Sequence, residues 1–267
     1  MSQSRIRNKL RTKLLSNEKR CIYCASLPET IEHFPPVSLF DRRDRPSGLE
    51  FAACEACNHG TKAAEALAVF VSRIDKDERT AGFWGSQAGQ NAIFTLEREA
   101  PGLRSQILQN PSISNYLAPS GEVEQQIEIR LSSEKAKNLL DAFSAKLGMA
   151  LYREHIGEPL PLNGIVQTIW YTNAGLGRDL YEKLLRTFPI FATLKQGKKS
   201  YPNQFGYRYN TDGSRILAAL VSFHGNFHVF FVASGEPETF ELPYAFIGAS
   251  ETTGNVMHPG ELLSRLT

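Results

Sequence analysis

All four cysteines of the 267-residue chain fall in two C-x2-C pairs, Cys21/Cys24 and Cys54/Cys57, with residues 25–53 between them. Two such knuckles can aim four thiolates at one tetrahedral Zn²⁺, a redox-inert d¹⁰ ion that accepts sulfur ligands. Two disulfides, a redox C-x-x-C and an iron–sulfur cluster are the other uses of the pattern. A reducing compartment disfavours the disulfides, and the redox motif lacks its usual βαβ setting. Four thiolates close the coordination shell, so such a zinc is structural. Its binding energy is expected to replace a core that a segment of about 60 residues could hardly build alone. Between the knuckles lies Thr30-Ile31-Glu32-His33-Phe34-Pro35-Pro36, and directly after them Asn58-His59-Gly60-Thr61-Lys62. An imidazole near its ordinary pKa of about 6.5 is mostly neutral at physiological pH and can accept a proton. Glu and Asn offer oxygens of the kind a hard cation takes.

In the ordered combination C-I-Y-C, I-E-H-F-P-P and C-E-A-C-N-H-G-T-K the chain resembles the HNH (ββα-metal) nuclease family. It looks closest to the four-cysteine members, a group that includes phage junction-resolving endonucleases. The resemblance covers about residues 20–75, roughly a quarter of the chain. It implies that Glu32 and His33 end a first strand and that Asn58 opens the helix after the second knuckle. It further implies that His33 is the general base toward water, and that Glu32 and Asn58 hold one catalytic Mg²⁺ or Mn²⁺ against the scissile phosphate. A hard cation is chemically reasonable there, because a phosphodiester is anionic and attack on it needs charge neutralisation. Three departures stand out. Position 32 carries Glu where Asp is usual, Ser47-Gly48-Leu49-Glu50-Phe51 contains no middle Asn, and His59 competes with Asn58 as a ligand. Asn58 is preferred because it follows the cysteine directly. His59, Lys62 and Glu65 remain further candidates, Lys62 toward a phosphate and Glu65 as an extra metal group.

Charge distribution says more than net charge. Residues 1–20 hold seven basic side chains against Glu18, a net of +6 in a chain of net +2, so the remainder is acidic at −4. A basic arm carrying Arg5, Arg7, Lys9, Arg11 and Lys13 suits nucleic acid, with DNA ahead of RNA. Arg42, Arg43 and Arg45 form a second basic stretch, tempered by Asp41 and Asp44. No apolar run reaches the roughly 18 residues of a membrane span, and the N-terminus has no apolar signal region. A cytoplasmic protein without a membrane partner is expected.

The elements that would position these groups fall into four regions. A basic arm (1–19) precedes the HNH-type module with its structural zinc (20–80). A helical connector punctuated by Gly, Gln and Pro follows (81–120), and then an α+β domain (121–267) whose role the sequence leaves open, a protein partner included. Within the module, TKAAEALAVFVSRID has helical spacing. In the last region EVEQQIEIRL, GIVQTIWYT, NQFGYRYN, SRILAALVSF and FHVFFVA are strand-like. SSEKAKNLLDAFSAKLGMALYREH and GRDLYEKLLRTF are helical, the first closed by Gly157 and the second by Pro189. The expected class is α+β with a largely antiparallel sheet. His224 and His228 straddle a turn and read as surface or satisfied core residues. The aromatic and basic residues Tyr201, Phe205, Tyr207, Arg208 and Tyr209 read as an ordinary strand face. The expected function is metal-dependent phosphodiester hydrolysis. The alternative is a zinc module of nuclease ancestry that binds nucleic acid without cutting it.

Overall fold

The computed structural model describes residues 11–74, 86–109, 111–117, 121–128, 131–172, 178–237 and 255–266. Of the basic arm, Arg5, Arg7 and Lys9 lie outside these residues, while residues 11–17, with Arg11 and Lys13, are helical. The protein is mixed α+β. A short antiparallel hairpin, β1 (Thr30–His33) and β2 (Glu50–Ala53), leads into α1 (Glu55–Gly60) and α2 (Lys62–Ser72). The connector holds α3 (Gln87–Glu99) and α4 (Leu103–Leu108), then a hairpin of β3 (Ser112–Leu117) and β4 (Val123–Glu128). Strand β3 falls where the sequence suggested only helices. Pro101 sits in the turn between α3 and α4.

The centre of the molecule is α5 (Glu134–Ile156). Ser133 caps its start by accepting from the Ala136 amide, and Gly157 ends it at φ 92°, a left-handed conformation that glycine adopts without a Cβ clash. From Leu139 to Tyr152 every residue of α5 is buried. A helix buried all round needs partners on all sides. α2 lies against one side, and β5 (Ile165–Thr172), β10 (Ile216–Phe223) and β11 (Phe227–Ser234) against another.

Those strands belong to a six-stranded antiparallel sheet completed by β12 (Asn255–Met257), β9 (Phe205–Thr211) and β6 (Ile190–Ala192), in the order β12-β5-β11-β10-β9-β6. The elements α6 (Arg178–Thr187), β7 (Lys195–Gln196) and β8 (Lys199–Ser200) complete the chain order around β6. Strand β11 is buried along its whole length because both faces are covered. Phe227, Val229, Phe231 and Ala233 join the main core with α5, while Phe230 and Val232 pack with Leu184 and Phe188 in a second cluster on the opposite face. No described helix is long and apolar enough to cross a membrane.

The hairpin module does not keep a separate core. Ile22, Tyr23, Phe34, Leu39 and Phe51 belong to the same buried cluster as Phe143, Phe223 and Phe231, and the Phe34 and Phe143 rings lie 5.2 Å apart. Polar contacts repeat the junction. Gln204 accepts from the Asp41 amide at 3.0 Å and donates to the Asp41 carboxylate at 2.8 Å, and Arg20 donates to the Pro159 and Leu160 carbonyls.

Close approach of α5 to the sheet depends on Gly148, where an added Cβ would stand 2.5 Å from Val166 Cγ1 and 3.2 Å from Phe231 Cδ2. Gly148→Ala is therefore expected to destabilise the protein by about 1–3 kcal/mol, as over-packing does. Calorimetry should show a melting midpoint several degrees lower, and an unchanged midpoint would mean that helix and sheet can separate freely here.

Candidate functional site

The two knuckles converge because the β1–β2 register brings Thr30 opposite Ala53, next to Cys54, while the Glu29 amide donates to the Ala53 carbonyl. Cys21, Cys24, Cys54 and Cys57 have ligand atoms within 4.8 Å of one another, and none is in a disulfide. This cluster could hold a zinc ion. The thiols already polarise each other. A hydrogen bond from Cys57 pulls the Cys21 pKa down to about 5, and the same contact pushes Cys57 up. Burial raises Cys54 to about 11. Cys54 caps α1 by accepting from the Cys57 amide at 3.4 Å, so the metal-ligand spacing and the helix start share one residue.

Glu32 and His33 do end β1, and being adjacent on a strand they point to opposite faces. His33 is half-exposed, with Nδ1 3.6 Å from Oε1 of Glu50, its direct cross-strand partner. Burial lowers the His33 pKa, Glu50 works against that, and Arg45 adds to it. The ring is thus held in its proton-accepting form, with one nitrogen turned to a carboxylate. Glu50 escaped the sequence reading because the residue opposite His33 is fixed by hairpin register.

Glu32 turns inward and is 3% exposed. Lys146 Nζ, from the middle of α5, lies 2.7 Å from Glu32 Oε2, off the line of a directed hydrogen bond. The same ammonium donates to Glu65 and, at 2.7 Å, to Thr61 Oγ1. It also stands 5.4 Å from the centre of the Tyr23 ring and 5.7 Å from that of Phe34. Burial alone would lower the Lys146 pKa, but Glu32 and Glu65 more than offset this, and the lysine stays above its ordinary value. Burial raises Glu65 despite Lys146. Lys146 was also missed, although a lysine inside the apolar run Ala145-Lys146-Leu147 signals a buried charge that needs a partner.

Asn58 does not open the helix after the second knuckle: α1 already starts at Glu55, within the knuckle, and Asn58 is its fourth residue, with a side chain that donates to Thr30 Oγ1 at 2.9 Å and to the Ile31 carbonyl at 3.3 Å. His59 is exposed beside Glu55, with Nδ1 3.5 Å from Oε1, and Lys62 is exposed. Among the described residues the four cysteines are the one group of three or more His, Cys, Asp or Glu side chains close enough to share an ion. Glu32 does not fit a hard divalent ion as placed, because its carboxylate is paired to an ammonium. Asn58 is tied to β1 through its amide nitrogen, which leaves its oxygen as the one ligand atom of the pair.

Arg45 is spent within its own loop, donating to the carbonyls of Phe34, Pro35, Pro46, Gly48 and Leu49. Its pKa is lowered to about 10 by burial, against the pull of Glu50 and Glu32. Arg42 and Arg43 are exposed. His224 is half-buried and satisfied, with Nε2 2.8 Å from the Leu39 carbonyl and a pKa lowered to about 4 by burial. Comparison with family models, with curated proteins and with solved structures finds no match.

Freshly purified protein is expected to contain one zinc per chain, and Cys57→Ser none, because three thiolates bind far more weakly than four. Elemental analysis with a thiol titration checks this. Wild-type protein lacking both zinc and iron would leave the cysteine cluster without its proposed role.

Proposed function

We propose that the N-terminal part of the chain is an HNH-type endonuclease module, stapled by zinc, that presents His33 to a nucleic-acid phosphodiester, with DNA the first candidate substrate. The observation that carries this reading is the His33–Glu50 pair. A half-exposed imidazole with its pKa lowered by burial is mostly neutral at physiological pH. Glu50 beside Nδ1 favours the tautomer that leaves Nε2 to accept the proton of an attacking water, as carboxylate partners of catalytic histidines do. The zinc knuckles and the Arg45 loop hold both strands on either side of this pair, which limits its motion relative to a bound backbone.

Magnesium or manganese would supply charge neutralisation at the scissile phosphate. Since Glu32 is paired to Lys146 and does not fit that ion, the charge must be met on the His33 side of the hairpin. The basic residues 5–13 supply sequence-independent affinity in this reading, and the protein works inside the cell, where thiolates stay reduced. A second reading, a zinc module that binds nucleic acid without cutting it, is favoured by one observation: Lys146 closes over Glu32.

The experiment is incubation with supercoiled plasmid and with RNA, in Mg²⁺, Mn²⁺ or EDTA. Cleavage should appear in wild type and fall about 10²–10⁴-fold in His33→Ala, the usual contribution of a positioned general base. Binding should persist in the variant. Protein that binds either polymer and never cuts would leave the binding module as the better account.

The rate should rise with pH through an inflection below the ordinary histidine pKa of about 6.5 and then level off, because only neutral imidazole accepts a proton. Glu50 pulls the His33 pKa upward, so Glu50→Gln should move the inflection to still lower pH while reducing the plateau. A plateau unchanged in Glu50→Gln would show that the carboxylate does not orient the base.

A further inference from the structure

The pocket between β1 and α2 is lined by the carboxylates of Glu32 and Glu65, the hydroxyl of Thr61 and the rings of Tyr23 and Phe34. Into it α5 inserts one side chain, Lys146, which is fully buried. We infer that Lys146 is the resident cation of this pocket, and that it withholds Glu32 and Glu65 from divalent metal. The inference rests on the HNH-type reading only for what a carboxylate at position 32 would otherwise do.

Three observations carry it. The ammonium lies 2.7 Å from Glu32 Oε2, which leaves no room on that side for an ion needing oxygen at about 2.0–2.1 Å. Nor does the hydroxyl of Thr61 offer a free ligand, since it accepts from Lys146 and donates to the Cys57 carbonyl at 2.8 Å. Finally, Mg²⁺ dehydrates reluctantly and keeps several waters, whereas Glu32 is sealed from solvent on the face of β1 opposite His33. An ion held by Glu32 could not also serve a water activated by His33 on the exposed face. The strand that places the base outward places the acid inward, and α5 supplies the positive charge that the acid requires.

The test is Mn²⁺ titration of full-length, zinc-loaded protein, followed by electron paramagnetic resonance. Wild type should show no Mn²⁺ site that Glu32→Gln removes. One Mn²⁺ per chain, bound by wild type and lost in Glu32→Gln, overturns the inference. Lys146→Ala leaves two carboxylates facing a vacated space and should gain one Mn²⁺ site, lost again in the Lys146→Ala/Glu32→Gln double variant. A folded Lys146→Ala chain that gains no site also overturns it. If Lys146→Ala does not fold, the comparison of wild type with Glu32→Gln decides alone. No readout here depends on cleavage, so failure of the nuclease reading in the plasmid and RNA assay is separate from failure of this one.

Discussion

An ammonium taken fully out of water loses several kcal/mol of hydration, and only close carboxylates and directed acceptors offset that loss. Lys146 meets this condition through residues that are far away in sequence: Glu32 on β1, Thr61 at the junction of α1 and α2, and Glu65 on α2. Three elements of the hairpin module are thereby tied to the central helix of the rest of the protein. Truncating one partner of a buried pair commonly costs about 3–5 kcal/mol, because the remaining charge is stranded. The helix, in turn, can carry a lysine at its most buried point only because the module covers it. Module and sheet are mutually dependent in charge as well as in apolar contact.

The alternation of β1 turns this constraint into a division of labour. Ile31 and His33 face one way, and Glu32 faces the other. Fixing Glu32 against Lys146 fixes the phase of the strand, since a slip of one residue would bury His33 and expose Glu32. The same pairing sets His33 across from Glu50. The lock on the inner face therefore determines which side chains are offered on the outer face. Arg45 makes a comparable contribution from the loop, using its guanidinium to gather five carbonyls, of which that of Leu49 also accepts from the Phe34 amide.

Much of this was legible in the sequence. Two C-x2-C pairs placed four sulfurs together, strand-like runs located β5, β9, β10 and β11, alternation located β4, and Gly157 marked the end of α5. Local signals sufficed because each is written in adjacent residues. What could not be read was written across the fold. Glu50 becomes the partner of His33 through hairpin register, and Lys146 becomes the partner of Glu32 through the packing of α5 on α2. Strand β3 was hidden because Ser112–Leu117 has weak alternation and finds its edge only in β4. The resemblance treated Glu32 as half of a metal site because a motif records residue types, not the neighbours a distant helix brings.

A zinc ion held by the four cysteines would have a different task from the one that segment length suggests. A segment of that size standing alone would need metal to replace a missing core. In this chain Ile22, Tyr23, Phe34, Leu39 and Phe51 share the core of α5 and the sheet, so burial is already provided. What burial cannot provide is direction. The first knuckle sits in a turn where the Cys21 amide bonds to the Ser26 carbonyl, and the second caps α1. Four thiolates on one ion would fix these two turns relative to each other within a few tenths of an ångström, since Zn–S distances vary little around 2.3 Å. The hairpin between them then has one geometry, with His33 and Glu50 at its open end and the Glu32–Lys146 contact beneath it.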